Sequence, residues 1–388
     1  MSKSVFIFHD SNVSSGATAA LLDLFSEIFK LKGRLNYIAI IPKYGDNNSL
    51  RARLEAYGVT VGTYNVPMTR VKYKAPCISL ILSYSSAVFN IFTSFFESKK
   101  VACFLKNKNI GLVYTNTTST YLGLFVAKSL RCRHICHVRE FGKEDQNMTQ
   151  VFGEAFFYNI LQSMSDKIIV ISKALEQKLT KYISSDKIEL IYDDVDVKSK
   201  QDYRLIFQDS KHIRLLITGT ICRGKGQKFI VLALSKAIEK YPEIKFELNI
   251  AGDDNTSYAK DLKVYVEQLK ISDHVNFLGH CSDMGQVRLC NDIAVVASSS
   301  EAFGRVTIEA MSSSLLVLAS DQGANVELVN HKDTGLLYKH NDIDSFIESL
   351  DYALKSVDSS RRVAMRGFQH SQRYTCGVAA QRVLAIVS

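Results

Sequence analysis

Proline is scarce in this chain, four in 388 residues, and no proline-, glycine- or serine-rich tract occurs. Long flexible linkers are thereby excluded. None of the eight cysteines, at 77, 103, 132, 136, 222, 281, 290 and 376, forms a CxxC pair. A chain of this length needs no disulfide staples, so reduced, buried thiols are expected. No signal peptide is legible. Met-Ser-Lys leads at once into Val5-Phe6-Ile7-Phe8, too short for its apolar region, and a cytoplasmic protein is expected. No repeat of fixed short period appears. One long stretch, Ala75 to Phe96, lacks any charged residue.

Apolar residues make up 46% and charged residues 22%, which excludes a largely disordered chain. At roughly 150 residues per domain, two domains are expected. The net charge of +9 is uneven. Residues 1–200 hold 26 Lys/Arg against 17 Asp/Glu, whereas 201–388 hold 22 of each; residues 1–110 alone hold 14 against 6. A basic half of this kind is either a solvated surface or the face of an anionic partner: a membrane surface, nucleic acid or an anionic substrate.

The uncharged stretch follows Arg70, Lys72 and Lys74. Its length allows a membrane span. Its content argues against one, because Ser79, Ser83, Ser85, Ser86, Asn90, Thr93 and Ser94 dilute the apolar residues. Leu80, Tyr84, Ala87, Val88 and Ile91 follow helical spacing, so an amphipathic helix with a basic lead-in is expected. It is either docked on its own domain or lying on a membrane surface.

Short β-branched runs at Val5–Phe8, Tyr37–Ile41, Leu112–Thr115, His134–Val138 and Lys167–Ile171 alternate with helical segments such as Ala17–Phe29 and Val151–Met164. A second set follows at Ile213–Thr218, Phe246–Ala251, Val275–Leu278, Ile293–Ala297 and Leu315–Ala319, with helices at Gly226–Lys240, Tyr258–Lys270 and Arg305–Ser313. That alternation predicts an α/β protein with two doubly wound parallel sheets. The polar segment Tyr192–Asp209, with Asp193-Asp194-Val195-Asp196 and Lys198-Ser199-Lys200, is the boundary candidate. The chain closes with a helical stretch near Ser371–Ile386. Open α/β sheets bind ligands outside their strand C-termini, here at a cleft between the two domains.

Three loops carry chemistry. In Ser298-Ser299-Ser300-Glu301-Ala302-Phe303-Gly304, a strand ends and a helix starts near Gly304, so helix N–H groups can hold an anion. Glu309, inside the otherwise apolar Val-Thr-Ile-Glu-Ala-Met start, can accept from a diol such as a ribose. For Glu301 alone, the helix dipole is explanation enough. In Thr218-Gly219-Thr220-Ile221-Cys222-Arg223-Gly224-Lys225-Gly226, glycines permit close backbone approach, and Arg223 and Lys225 bring charge to where a diphosphate would rest. This is no Walker A motif. The third loop, Asp10–Ala17, places Gly16 after the first strand; Ser15 as a helix N-cap explains it equally well.

Together these residues resemble the retaining glycosyltransferases of family 4, which have the GT-B fold. The E-x7-E element of Glu301 and Glu309, with Phe303-Gly304 inside it, is that family's most specific mark. The resemblance also covers the Lys225-Gly226 and Ser15-Gly16-Ala17 loops, Ile169–Ser172, Asp321–Leu328 and Thr334-Gly335-Leu336-Leu337. It implies that Glu309 binds the donor ribose and that Lys225 contacts the diphosphate beside Gly219, Thr220 and Arg223. Glu301, Phe303 and Gly304 would border the donor sugar, and Gly16 would lie near the phosphates. His137 would face the transferred sugar, making it, Lys225 and Glu301 the implied catalytic set, with Arg139 and Glu140 near the acceptor. The implied domains are 1–197 for the acceptor, 210–370 for the donor, and a helix over 371–388 crossing back onto the first. The sequence departs from the family's pattern at three places. Thr220 stands where Arg is usual, Gly323-Ala324 replaces Gly-Gly, and Asp193-Asp194 replaces Asn-Gly.

The implied reaction uses a nucleotide-diphosphate sugar such as a UDP- or GDP-sugar, a glycan or lipid-linked acceptor, and no metal or other cofactor. Lys225, Arg223 and helix N-termini would stabilise the leaving diphosphate, and domain closure would exclude water. Glu301 and Glu309 share one short segment, unlike the opposed carboxylates of a hydrolase. Thr220 keeps open a non-catalytic GT-B subunit as the alternative; a phosphorylase or nucleotide-sugar epimerase is the enzymatic one. Cys132, His134, Cys136 and His137 lack a common zinc spacing and are expected to pack in a sheet. No nucleic-acid module surrounds Lys99-Lys100 and Lys106–Lys108, so nucleic acid is not an expected partner.

Overall fold

The computed structural model describes residues 2–13, 15–33, 35–45, 47–73, 76–195 and 205–387. The chain forms two compact units, 1–194 with 377–388, and 195–376. The expected boundary at 197, together with Asp196, Lys198, Ser199 and Lys200, lies outside the described residues, as do Ser14, Lys74 and Ala75.

The first unit is built on β1 (Lys3–Ile7), β2 (Ile38–Pro42), β3 (Thr60–Tyr64), β4 (Arg70–Lys72), β5 (Ile110–Asn116), β6 (Arg133–Val138), β7 (Met148–Gln150), β8 (Lys167–Val170) and β9 (Ile188–Leu190). Seven of these make one parallel sheet in the order β3-β2-β1-β5-β6-β8-β9, while β4 and β7 pair antiparallel beside it. Alternate side chains of a strand point to opposite faces. Accordingly Phe6 and Phe8 join a layer with Leu21, Phe25, Tyr114 and Ile135, whereas Val5 and Ile7 join another with Val113, Leu122 and Val126. Both faces are covered, as the apolar runs require.

The helical tail differs from expectation. One helix, Val357–Ser371, ends in a short turn over Gln372–Tyr374, and a separate helix, Val378–Val387, follows. Gly377, at φ +75°, breaks the path, since that left-handed conformation cannot continue a helix. The final helix buries Ala379, Ala380 and Val383 against the layer of Leu21 and Phe25.

The uncharged stretch is helical, over Cys77–Leu105. Of the face expected to be apolar, Ala87 is buried, and Val88 and Ile91 pack with it against Val71 and Val151. Tyr84, expected on the same face, stays exposed. Arg70 is not part of a basic surface: it is buried and paired with Glu140. The thiols are free, but only Cys136 is buried; Cys77, Cys103, Cys290 and Cys376 sit on outward helix positions and turns.

The second unit comprises β10 (His212–Thr218), β11 (Lys245–Ala251), β12 (Val275–Gly279), β13 (Ile293–Val296), β14 (Leu316–Ser320) and β15 (Leu336–Tyr338). They form one parallel sheet in the order β12-β11-β10-β13-β14-β15. This is the Rossmann order, which reverses direction between β10 and β13.

Candidate functional site

The reversal places two loops side by side in the second unit. One leaves β10 and the other leaves β13, and the backbone joins them: Ser299 N–H donates to Gly224 O at 3.0 Å. Glycine makes the approach possible. A Cβ on Gly226 would lie 2.3 Å from Ala297 O, and the residue sits at φ +74°. Gly323 approaches Glu301 equally closely, and Ala324 N–H donates to Glu301 O at 2.8 Å. Ala324 itself has φ −74°, so alanine is accommodated where the family's second glycine is usual.

Within this frame Lys225 Nζ lies 2.6 Å from Glu301 Oε1, and Ser298 Oγ donates to the same oxygen at 2.5 Å. Glu301 is nearly buried and Lys225 is about one-third exposed. Gly304, at φ +92°, starts the helix Arg305–Ser312. Phe303 is buried against Tyr374, with ring centroids 5.9 Å apart. Glu309 is paired with Arg288, and Arg305 lies 3.9 Å from its other oxygen. Thr220 and Arg223 are exposed on the β10 loop, and Thr220 O accepts from Gln227 Nε2 at 3.0 Å. Spacing gave no sign of Ser298 or Arg288 as partners of the two glutamates; folding alone brings them there.

The first unit holds a second cluster at its strand ends. Gly16 opens the helix Gly16–Lys32 with open space where a side chain would be. Ser15 occupies the N-cap but makes no capping bond, and its Oγ is buried without a partner among the described residues. Asn116, ending β5, donates to Ala17 O at 2.9 Å and accepts from Arg139 Nε at 2.6 Å. One guanidinium nitrogen of Arg139 donates to both oxygens of Asp193, and another lies 3.0 Å from His137 Nδ1.

Arg139 can only donate, so His137 Nδ1 accepts and the ring carries its proton on Nε2. Tyr114 also bonds Nδ1. His137 Nε2 is buried with no partner among the described residues. Burial and then the charge of Arg139 hold this histidine well below its ordinary range, so it is neutral. Glu140 is buried, bound by Arg70 at 2.5 Å and by the Thr118 backbone N–H at 2.8 Å. Arg139 and Glu140 are therefore both engaged in buried ion pairs. His9 lies near this cluster, and burial lowers it too.

His134 sits between Thr115 Oγ1 and Ser165 Oγ, at 2.8 Å each, and burial lowers it to about 3. Cys136 Sγ faces Thr117 O instead, so the Cys/His run turns toward separate partners. Asp193 and Asp194, conspicuous in sequence, have structural partners: Arg139 for the first and the Ala380 backbone N–H for the second.

The fold is that of the GT-B glycosyltransferases. HepE of Anabaena, in a complex with UDP and glucose, superposes with a TM-score of 0.77 at 17% identity, covering 100% of this chain and 99% of its own. Residues 200–370 match the family described as Glycosyl transferases group 1. An uncharacterized glycosyltransferase of Methanocaldococcus jannaschii is 26% identical over 205 residues, 49% of this chain and 51% of the relative. A D-inositol 3-phosphate glycosyltransferase of Corynebacterium urealyticum is 27% identical over 175 residues, 43% and 41% respectively. The chain thus spans about half the length, or less, of these curated relatives.

Proposed function

We propose that the protein is a retaining glycosyltransferase that moves a sugar from a nucleotide-diphosphate sugar to a glycan or lipid-linked acceptor in cell-surface polysaccharide or glycoconjugate biosynthesis. It would work in the cytoplasm, at the inner face of a membrane. The observation that carries this reading is the Lys225–Glu301 pair, set by adjacent strand ends of a Rossmann-order sheet. UDP-sugars are the first donors to try, because HepE is described in complex with UDP and glucose.

In this reading Lys225, with Arg223 and the backbone of Gly219 and Thr220, meets the diphosphate. Glu309 takes the ribose hydroxyls while Arg288 holds its carboxylate in place. Glu301, Phe303 and Gly304 border the sugar. In the first unit Gly16 serves the phosphates, and His137 presents its Nε2–H to a sugar oxygen. Arg139 and Glu140 shape the acceptor side from within their ion pairs.

The sugar's C1–O bond breaks with its electrons going to the nucleoside diphosphate. The acceptor oxygen bonds to C1 on the same face, and its proton passes to the leaving phosphate. Lys225 and Arg223 stabilise the growing negative charge without a metal being invoked.

The test is thermal and calorimetric titration with UDP, GDP, dTDP and ADP, with and without their sugars, on wild type and Glu309→Ala. A ligand at a hundred times its Kd adds about 2.7 kcal/mol of stability. One nucleotide binding to wild type and lost in Glu309→Ala is the expected result. Binding by none of them overturns the reading. The exposed Thr220, where an arginine is usual, favours one alternative, a GT-B subunit that binds glycan without turnover. Donor binding without sugar transfer or hydrolysis would establish it.

A further inference from the structure

The helix Cys77–Leu105 carries a second apolar face on its solvent side, which a helix in water does not need. Its protein side combines small and polar residues with Val88 and Ile91 and, in its last two turns, Val101 and Leu105. Ala87, Ser94 and Ser98 are buried there, Asn90 Nδ2 donates to Met68 O at 2.7 Å, and Ser83 Oγ accepts from the Lys72 backbone at 3.1 Å. Six other large apolar residues face outward. Ile78, Ile81, Leu82, Phe89, Phe92 and Phe96 are between 59% and 76% exposed, and their spacing puts them on one face over nearly five turns. An apolar patch of that extent marks an interaction surface.

The charges around it choose the partner. Between Pro76 and Phe96 the helix carries none. Lys72 flanks the start, its Nζ 3.4 Å from Ser79 Oγ. Lys99 flanks the other end, its ammonium 4.7 Å from the Phe95 ring centre. The acid of that turn, Glu97, is buried and paired with Lys100 at 2.6 Å. A second copy of the chain would bring the same positive rim against itself. An anionic bilayer presents the complementary surface: hydrocarbon for the phenylalanines and headgroup phosphates for the lysines.

The helix does not cross such a bilayer, since Ala87, Val88 and Ile91 tie its middle to Val71 and Val151. We propose that the outer face of Cys77–Leu105 lies in the interfacial plane of an anionic membrane, with Phe89, Phe92 and Phe96 immersed and Lys72 and Lys99 at headgroup level. This rests on the reading above only for its purpose, which is to hold the first unit where lipid-linked acceptors are presented. The geometry stands by itself.

The test is co-sedimentation of the full chain with vesicles of phosphatidylcholine alone and of phosphatidylcholine with phosphatidylglycerol, at low and high salt, with no nucleotide present. Wild type should bind the anionic vesicles, more weakly at high salt and on the neutral lipid. The Phe89→Asp/Phe92→Asp variant should lose about tenfold or more in partitioning. A Phe92→Trp variant keeps the measurement independent of whether the double variant folds. The chain contains no tryptophan, so the introduced indole is a single reporter. Its emission should shift to the blue on anionic vesicles and be quenched by brominated lipid.

No binding of wild type to anionic vesicles, or an unmoved indole emission in Phe92→Trp, overturns the proposal. So does a stable dimer that Phe89→Asp/Phe92→Asp dissolves in the absence of lipid. Failure of the nucleotide titrations would remove the transferase reading and leave this result untouched.

Discussion

The Asp194 carboxylate accepts a hydrogen bond at 3.1 Å from the backbone N–H of Ala380, 186 residues further along the chain. It thereby holds the start of the final helix onto the first unit. Burial lifts its carboxyl to about 6, against the pull of the Ala380 and Ala379 N–H groups. An unfolded chain releases that proton near 3.8. Between those values the folded state holds a proton that the unfolded state has lost. The group's stabilising contribution is thus present below 3.8 and lost as the pH rises through about 6. Asp194→Asn keeps an acceptor for Ala380 and removes the buried charge. It should stabilise the protein at neutral pH by up to about 2 kcal/mol, with the difference vanishing in acid. Urea unfolding across this range measures it. A variant less stable than wild type at neutral pH contradicts the account.

Lys225 and Glu301 make opposite predictions for binding. The carboxylate neutralises the ammonium that a diphosphate would use. Lys225→Ala should weaken nucleoside diphosphate binding by about tenfold or more, near 1.4 kcal/mol. Glu301→Gln should leave that affinity equal or higher while sugar transfer falls. Calorimetry and a transfer assay separate the two. Equal losses of affinity in both variants would mean that Glu301, too, holds the nucleotide.

Two glycines differ in what a methyl group does. Gly226→Ala meets Ala297 O and a left-handed backbone, and should destabilise the second unit by about 3 kcal/mol. Gly16→Ala meets nothing within 4 Å and has an ordinary helical backbone. It should change stability by less than about 1 kcal/mol. A large loss of transfer in that stable variant places Gly16 against a ligand. Unaltered kinetics place it outside the site.

Arg139 and Asp193 form a buried pair. Arg139→Met leaves an unpaired buried carboxylate and should cost about 3–5 kcal/mol. Arg139→Met/Asp193→Leu should cost clearly less than the two single changes summed. The His137 ring reports on the same pair. Nitrogen NMR should find its proton on Nε2 in wild type, and in Arg139→Met that preference should relax.

Much of this was readable from residue pattern. Runs such as Phe6–Phe8 and Leu215–Ile217 are apolar throughout because both faces of each sheet are covered. The loops carrying Lys225 and Glu301 were legible because glycine and charge follow a strand end. The short edge strands Ile188–Leu190 and Leu336–Tyr338 were not, since three residues hold no periodicity. Neither were Arg288 beneath Glu309 and Asp193 beneath Arg139, because chain separation hides side-chain partners that only the finished sheet brings together. In the Cys77–Leu105 helix, spacing located the packed stripe at Ala87, Val88 and Ile91. It could not tell that the larger residues face away, because the β4–β7 ribbon decides which side is covered.

The core of the first unit contains residues made after the whole of the second. Ala379, Ala380 and Val383 complete the layer around Leu21 and Phe25, yet all of 195–376 is synthesised in between. On the ribosome the second unit can therefore close first, while the first waits with an uncovered apolar layer. During that wait the apolar layer around Leu21 and Phe25 lacks the residues that cover it in the finished unit.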